Sequence, residues 1–302
     1  MCKRDQSQQE ISDKAFTCLD KEYFEEGKEL GDVKAVFGRV LDLVREWKWE
    51  EPDAAEFVAA MIMVLPFQSL MEWWRPWICF QGPKNSGKTA FLELVRFLYG
   101  PMVFIDNQER TEGIRRKLGN SGRIWLIDDL DQYQKPKITI TGMSVAVEGR
   151  HYRIGGPDGI PRSFRMTQMP LVTFTLPGPL FGGGYFYRSR AIVFRLRKPK
   201  NPQSAFILHN TGELPRLGSY SAGCVSAHFD RIQERVEPLK REKVKTGEDS
   251  RLLDCFRYFV ALLEIVLEKE IDIPKWAIEW KKDLSKRERK ALQRELDREM
   301  AI

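Results

Sequence analysis

The sequence has few of the residues that cross-link a protein or bind a structural metal. Its 302 residues include three histidines and five cysteines, with no C-x-x-C pair and no histidine at a spacing typical of zinc ligands. The cysteines are odd in number and widely spaced, at Cys2, Cys18, Cys79, Cys224 and Cys255. These absences argue against a structural zinc and against a disulfide framework. They favour a reducing, cytoplasmic setting.

A long uninterrupted apolar run is also missing. The most apolar stretch, residues 54–74, is interrupted by Glu56, Pro66, Gln68 and Glu72, so it is not expected to span a bilayer. The chain begins with charged residues and not with an apolar signal core, which predicts neither secretion nor a membrane partner. Because 42% of the residues are hydrophobic, the chain can still bury a substantial core.

The charge balance is only modestly basic. Lys and Arg total 49 against 43 Asp and Glu, which gives a formal net charge of +6 and a pI near 9.0. Such an excess permits a nucleic-acid partner without requiring one. The distribution of the charge along the chain is therefore a better indicator of a nucleic-acid partner than the net charge.

One motif dominates what is present. Residues 82–89 match the pattern G-x-x-x-x-G-K-[ST] of a P-loop, and they read Gly82, Pro83, Lys84, Asn85, Ser86, Gly87, Lys88 and Thr89, followed by Ala90. The apolar run 77–80 before them predicts a buried strand, and the periodic residues 89–98 after them predict a helix. A chance glycine turn is the alternative, but a strand-to-helix turn is the context that a P-loop needs.

The motif predicts binding of ATP with Mg²⁺. Glycines let backbone N–H groups surround phosphates, and a helix N-terminus adds favourable partial charge. Lys88 is expected to reach the β- and γ-phosphates, and the Thr89 hydroxyl to ligate Mg²⁺. The predicted nucleotide-binding residues are the motif residues from Gly82 to Thr89 together with Ala90.

A second acidic motif follows a later buried strand. Residues 124–127 are continuously apolar and are followed by Asp128 and Asp129, which fits a Walker B element with Asp128 as the second Mg²⁺ residue. Asp129 occupies the position where a glutamate usually polarises the attacking water, and it is one methylene shorter. The alternative is that the acidic pair only caps the next helix. Asp131 is interpreted as a solvated neighbour.

The pattern of apolar segments predicts an α/β fold. Strands are expected at 77–80, 102–106, 124–127, 171–176 and 191–196, which make a parallel five-stranded sheet. Helical periods at 32–49 and 52–65 predict an N-terminal helical cap, and those at 225–241, 250–270 and 285–300 predict a C-terminal helical segment. Residues 199–218, rich in Pro and Gly, are interpreted as a connector. The predicted regions are 1–72, 73–198 (the ATPase core) and 199–302.

Residues 148–165 predict a hairpin that contacts DNA. A glycine-rich turn lies between arginines and aromatic residues, a combination that suits phosphates and bases. An exposed hairpin whose arginines only maintain solubility is the alternative. The predicted DNA-binding residues are Arg150, Tyr152, Arg153, Arg162 and Arg165.

These features together resemble the AAA+ helicase domains of phage, plasmid and integrated-element replication proteins, including the superfamily-three-like helicases. The resemblance covers about residues 45–197. It rests on the sequence Trp47-Lys48-Trp49, the P-loop, the basic segment 111–118, which is predicted to be a short helix, and the strand with its acids at 124–129.

The resemblance implies further roles for named residues. Thr173 or Thr175 would stand where a polar residue of the fourth strand senses the γ-phosphate. Arg190 or Arg188 would act as a catalytic finger that reaches the nucleotide of a neighbouring subunit, unless both are simply solvated strand ends. The catalytic residues would then be Lys88, Asp129 and one of these arginines.

The resemblance implies an AAA+-like P-loop NTPase that forms a ring, expected to be a homo-hexamer, and that moves on single-stranded DNA during replication of a mobile element. Two other classes fit the nucleotide motifs. One is a nucleotide-gated regulatory module, such as a loader or a defence ATPase, without unwinding activity. The other is a P-loop kinase for a small molecule, in which the arginine-rich hairpin has no evident use.

Overall fold

The computed structural model describes residues 32–71, 75–106, 114, 118, 121–132, 151–155, 161–175, 191–199, 212–243 and 247–277. For 151–155, 161–165, 240–243 and 247–252 it describes the backbone alone. The predicted helix at 285–300 lies outside the described residues. The predicted helix at 111–118 lies mostly outside them, although Ile114 and Leu118 are each helical and buried.

A parallel five-stranded sheet forms the centre of the fold, as predicted. Its strands are predominantly apolar because both faces of the sheet are covered. In chain order they are β1 (Trp77–Gln81), β2 (Val103–Ile105), β3 (Ile124–Ile127), β6 (Leu171–Phe174) and β7 (Ala191–Arg195). The spatial order is β2-β3-β6-β1-β7. The predicted α/β fold class is thereby confirmed at the level of the sheet.

The strand register brings the ends of four strands together. Phe80 of β1 pairs with Thr173 of β6, and the next residue, Gln81, pairs with both Phe174 and Arg195. β3 pairs with β6 on the other side through Ile127 and Val172. The loops that follow β1 and β3 therefore leave the sheet at the same edge, with β6 between them.

The predicted hairpin is also present. Strand β4 (His151–Gly155) pairs antiparallel with β5 (Pro161–Arg165), and these two form a separate two-stranded sheet. The turn between them and Arg150 before them lie outside the described residues.

Helices precede and follow the sheet. The described helices are α1 (Val33–Val44), α2 (Ala54–Val64), α3 (Lys88–Tyr99), α4 (Leu214–Lys243) and α5 (Gly247–Leu267). Asp32 caps α1 by accepting a hydrogen bond from the Lys34 backbone N–H at 2.9 Å. None of the helices within the described residues combines the length and the apolarity needed to cross a bilayer.

Helix α4 starts earlier than the sequence predicts. Residues 214–218 were expected to belong to a Pro- and Gly-rich connector, but they form the first turns of α4. Pro215 lies in the first turn, where a proline needs no N–H partner. Leu214 and Leu217 are buried, so their packing outweighs the local preference for a turn.

The sheet separates two hydrophobic clusters. Along each strand successive residues point to opposite faces, so Ile78 and Phe80 belong to the larger cluster, whereas Trp77 and Cys79 belong to the smaller one. The larger cluster includes residues from all five helices. The N-terminal helices, the sheet and the C-terminal helices therefore share one core.

Candidate functional site

The motif loop, defined as residues 82–89, joins the end of β1 to the start of α3. Gly87 caps α3 in the left-handed region at φ 89°, and Asn85 is left-handed at φ 64°. A Cβ atom at Gly82 would lie 2.5 Å from the Ser86 Oγ and 2.9 Å from the Leu196 carbonyl oxygen. The tight curvature of the loop thus explains both flanking glycines of the motif.

Lys88 points back over the loop that precedes it. It is the first residue of α3 and is 7% exposed. Its Nζ donates hydrogen bonds to the carbonyl oxygens of Gly82 at 3.0 Å and of Pro83 at 3.1 Å. The ammonium group is therefore held against the concave side of the motif loop by acceptors that a phosphate oxygen could replace.

A cavity of about 630 Å³ opens on the motif loop. That volume is in the range of pockets for cofactor-sized ligands, roughly 300–1,000 Å³. Two regions distant in sequence line it as well, one after β3 and one after β6. The lining residues are Lys84, Asn85, Ser86, Gly87, Lys88, Thr89 and Ala90, with Glu93, Arg96 and Phe97 of α3, and Asp129, Gln132 and Thr175 from the sheet edge.

A buried threonine connects the two acidic residues after β3. The hydroxyl of Thr173, in the neighbouring strand β6, donates a hydrogen bond to Asp128 Oδ1. The same Oγ1 accepts a hydrogen bond from the Asp129 backbone N–H at 2.7 Å. Thr173 is fully buried. The sequence suggested Thr173 as a possible sensor of phosphate, but its contact with the acidic pair depends on strand order, which the sequence pattern did not specify.

Asp129 lies in a strained and electrostatically coupled position. Its backbone φ of 43° is left-handed, which is uncommon for a residue other than glycine. Partial burial raises the pKa of its carboxyl group, neighbouring Asp128 raises it further, and Lys88 opposes both effects. Gln132 Nε2 donates to Asp129 Oδ2 at 3.1 Å. A carboxyl group with a raised pKa facing a cavity has the properties of a candidate general base.

The interpretation of Asp131 as a solvated neighbour is wrong. Its Oδ2 accepts a hydrogen bond from the Thr175 backbone N–H at 3.0 Å, and the residue is half-buried. Asp131 thereby connects the short 3₁₀ turn Leu130–Gln132 to the end of β6. This contact holds the loop after β3 in place beside the cavity.

Sequence reasoning missed a residue that contacts the motif loop from the N-terminal region. The indole Nε1 of Trp47 donates a hydrogen bond to the Gly87 carbonyl oxygen at 2.9 Å, across a sequence separation of 40 residues. In the sequence, Trp47 belongs only to the short segment Trp47-Lys48-Trp49 of the family resemblance. No local pattern pairs an indole with a particular glycine so far along the chain.

The cavity has features that fit a nucleoside triphosphate. The Ser86 Oγ is buried and has no hydrogen-bond partner among the described residues, so a donor is available at the loop. The first N–H groups of α3 also lie at the cavity, and a helix N-terminus attracts anions. The donor set of the loop therefore suits phosphate oxygens.

The residues also fit a Mg²⁺ ion whose other ligands are phosphate oxygens and waters. No group of three or more His, Cys, Asp or Glu side chains that could hold a metal occurs in the part of the chain that the structure describes. Mg²⁺ bound beside phosphates usually takes only one or two protein carboxylates and keeps several waters. Asp128 supplies one such carboxylate, and Thr89 supplies a hydroxyl oxygen.

The remaining predicted site residues form two groups, the finger arginines and the hairpin residues. Arg188 and Arg190 lie outside the described residues. Tyr152 and Arg153 are in β4, whereas Arg162 and Arg165 are in β5, and for these strands the backbone alone is described.

Comparisons with known proteins give limited similarity. No family model matches the chain, and no curated protein matches it. A solved structure titled "SCCmec type IV Cch - active helicase" is 13% identical with a TM-score of 0.47, over 91% of this chain and 50% of that chain. A structure titled "The A form apo structure of NrS-1 C terminal region-CTR" is 12% identical with a TM-score of 0.39, over 81% of this chain and 69% of that one. The chain thus spans half the length of the first structure, and similarity this low carries no argument about function.

Proposed function

We propose that this chain is a Mg²⁺-dependent ATPase. The observation that carries the proposal is the convergence of the motif loop and Asp129 on one cavity at the C-terminal edge of the sheet. Ligands of parallel α/β sheets commonly bind outside the carboxyl ends of the strands. The two motifs are separated in sequence, and the strand order β3-β6-β1 brings them to one edge.

Each residue then has a defined task. Lys88 and the backbone N–H groups of the motif loop bind and orient the phosphates. Thr89 and Asp128 are the residues that would hold Mg²⁺, which when bound neutralises charge on the phosphates. Asp129 orients the attacking water and accepts its proton. Thr173 fixes the carboxylate of Asp128 and the backbone of Asp129 through one hydroxyl.

We further propose that ATP turnover drives movement on single-stranded DNA by a homo-oligomeric ring, expected to be hexameric, during replication of a mobile element. The sequence resemblance to AAA+ helicase domains supports this, as does the antiparallel ribbon of β4 and β5 with its arginines. Arg190 or Arg188 of a neighbouring subunit would complete the site by stabilising charge in the transition state.

A nucleotide-gated module without unwinding activity is the second candidate. One observation favours it: the Thr173 hydroxyl is already engaged by Asp128 and Asp129. It is therefore less available to contact a γ-phosphate than the asparagine that is usual in AAA+ proteins.

Steady-state ATP hydrolysis with Mg²⁺, measured with and without single-stranded DNA, separates the two candidates. Lys88→Ala serves as the blank because it removes the phosphate-binding ammonium group. Turnover that rises several-fold with DNA supports a translocating motor. Slow turnover that DNA does not change supports the nucleotide-gated module. Turnover equal in Lys88→Ala and wild type contradicts the ATPase proposal itself.

A further inference from the structure

We propose that Trp47 is a positioning residue for phosphate binding: its indole N–H fixes the Gly87–Lys88 peptide so that the Lys88 backbone N–H faces the phosphates. The proposal rests on the proposed function, because it assumes that the cavity binds a triphosphate. It assigns to the N-terminal region a direct part in the nucleotide site.

Two donors converge on the Gly87 carbonyl oxygen. Trp47 Nε1 donates to it at 2.9 Å, and the Phe91 backbone N–H, one helical turn further along α3, donates at 2.9 Å. The rings of Trp47 and Phe91 also meet edge to face, with centroids 5.5 Å apart and planes at 87°. Trp47 is 2% exposed. The carbonyl is therefore held by two hydrogen bonds, and the indole is held by an aromatic contact and by burial.

Fixing this carbonyl also fixes the next N–H group. The peptide unit is planar and trans, so its C=O and N–H point in opposite directions. Because the Gly87 oxygen is directed towards Trp47 and into α3, the Lys88 N–H is directed away from them. The first N–H groups of a helix have no acceptor within the helix. Lys88 N–H is thus available as a pre-oriented donor for an anion.

Without Trp47 this peptide would be less restricted. Gly87 adopts φ 89°, and glycine has access to more backbone conformations than any other residue. A loop that must become ordered when the ligand binds loses affinity by that ordering cost. The indole hydrogen bond reduces this cost before the ligand arrives.

Trp47 is itself attached to the sheet beside the motif loop. The residues that follow it run along the end of β7: the Arg197 N–H donates to the Lys48 carbonyl at 2.7 Å, and the Glu50 N–H donates to the Arg195 carbonyl at 2.9 Å. Between them Trp49 forms an antiparallel bridge with Leu196. The Leu196 carbonyl oxygen is also one of the atoms that a Cβ at Gly82 would approach too closely. The N-terminal segment therefore contacts the surroundings of both ends of the motif loop.

Trp49 provides a matched control. Its indole Nε1 also donates to a backbone carbonyl at 2.9 Å, but that carbonyl belongs to Val44 within the same N-terminal segment. Its ring packs against Phe91 at 5.8 Å and against Phe194 at 6.1 Å. Trp49→Phe and Trp47→Phe thus remove the same kind of hydrogen bond, and only Trp47→Phe removes one from the motif loop.

The test is calorimetric titration of wild type, Trp47→Phe and Trp49→Phe with inorganic tripolyphosphate and with ATP, both with Mg²⁺. We expect Trp47→Phe to weaken both ligands by about three- to tenfold, the effect of one net hydrogen bond. We expect Trp49→Phe to bind within about twofold of wild type, with a similar loss of thermal stability. In steady-state hydrolysis Trp47→Phe should raise KM and leave kcat nearly unchanged, because the lost contact serves ground and transition states alike.

Equal affinities of wild type and Trp47→Phe would overturn the inference, and so would equal losses in the two variants. If Trp47→Phe does not fold, benzothienylalanine at position 47 keeps the ring shape and removes only the N–H donor, and the same loss of affinity is expected. Failure of wild type to bind either ligand would overturn the proposed function as well. The titration of wild type therefore separates the two failures.

Discussion

At the scale of single residues, the Thr173 side chain links strand β6 to the acidic residues that follow β3. Its hydroxyl donates to Asp128 and accepts from the Asp129 backbone, so a single buried oxygen uses both its donor and an acceptor position. The left-handed backbone of Asp129 needs such support, because conformations of this kind persist when the surrounding structure fixes them. Thr173 therefore positions the acids, and under the proposed function it would also position the water that Asp129 activates.

Replacing Thr173 with valine tests this role. Valine has nearly the same shape but has no hydroxyl, so Asp128 and the Asp129 N–H each lose a partner. We expect Thr173→Val to lower kcat by about tenfold or more, while the ATP dissociation constant changes by less than about threefold, since the motif loop is untouched. Steady-state kinetics and a nucleotide titration measure the two quantities.

Thr167→Val is the control for the cost of losing a buried threonine. Thr167 is also buried, but it precedes β6 and so lies at the opposite edge of the sheet. Equal kcat values for the two variants would show that Thr173 acts only through stability.

Some residues of this site could be predicted from the sequence, and others could not. The motif loop and the acidic pair are local patterns next to apolar runs, and the structure places both at one edge of the sheet. The contacts of Thr173 and Trp47 join segments 44–45 and 40 residues apart. Long-range partners of this kind depend on strand order and on packing, which a single sequence does not specify.

At the scale of elements, the register of the hairpin separates its predicted DNA-binding residues into two sets. Paired positions of an antiparallel ribbon share a face, and neighbouring positions alternate between faces. Tyr152 pairs with Phe164, and Ile154 pairs with Arg162, so Arg162 is on the face of the two aromatic positions. Arg153 and Arg165 are on the other face. A surface that combines stacking rings with a cation suits single-stranded nucleic acid.

Single substitutions on opposite faces of the hairpin test this division. Arg162→Ala and Arg153→Ala remove the same charge. We expect Arg162→Ala to raise the DNA concentration for half-maximal ATPase stimulation several-fold and to reduce the salt slope of binding by about one. We expect a smaller effect from Arg153→Ala. Equal effects would indicate that only net charge matters, and unchanged stimulation in both variants would place the DNA site elsewhere.

Helices α4 and α5 are joined by a partly buried ion pair. Arg235 Nε lies 2.6 Å from Glu264 Oε2, and Glu264 Oε1 accepts a hydrogen bond from the Ile271 N–H at 3.0 Å. Glu264 is 9% exposed. Its two oxygens thus connect α4, α5 and the segment that follows α5.

Removing this carboxylate should destabilise the C-terminal helices. We expect Glu264→Ala to lower the free energy of unfolding by about 2 kcal/mol, because it leaves a cation and a backbone N–H with fewer partners. Urea unfolding with an unchanged m-value measures it. Glu268→Ala breaks the exposed pair with Lys34 and should leave the midpoint almost unchanged. Equal shifts in the two variants would contradict the role assigned to Glu264.

Element prediction succeeded where burial and periodicity agreed. The five strands were recognisable because each is a short, predominantly apolar run. The start of α4 was misplaced because Pro215 and Gly218 resemble a loop locally. The burial of Leu214 and Leu217, which decides the matter, becomes visible only in the folded chain.

At the scale of the whole molecule, the proposed mechanism requires a neighbouring subunit. A finger residue supplied in trans implies head-to-tail contacts, and these form the proposed ring when the rotation between neighbouring subunits closes. Two inactive variants should then complement each other, because Lys88→Ala subunits keep the finger and Arg190→Ala subunits keep the motif loop.

Mixing the two variants in equal amounts tests this assembly. Random arrangement places an intact loop beside an intact finger at about one junction in four, so we expect up to about a quarter of wild-type turnover. Each variant alone should be inactive. No recovery after verified subunit exchange would exclude Arg190 as a trans-acting finger, and Arg188→Ala would then be mixed in its place.

The central claim, that the cavity at the motif loop binds a nucleoside triphosphate, is tested most directly by calorimetric titration of the full chain with ATP and Mg²⁺. We predict saturable binding of about one nucleotide per chain, weakened about ten- to a hundredfold in Lys88→Ala, which loses a charge-assisted contact with phosphate. Absence of binding to the folded wild type, or equal affinity of Lys88→Ala, would contradict the account.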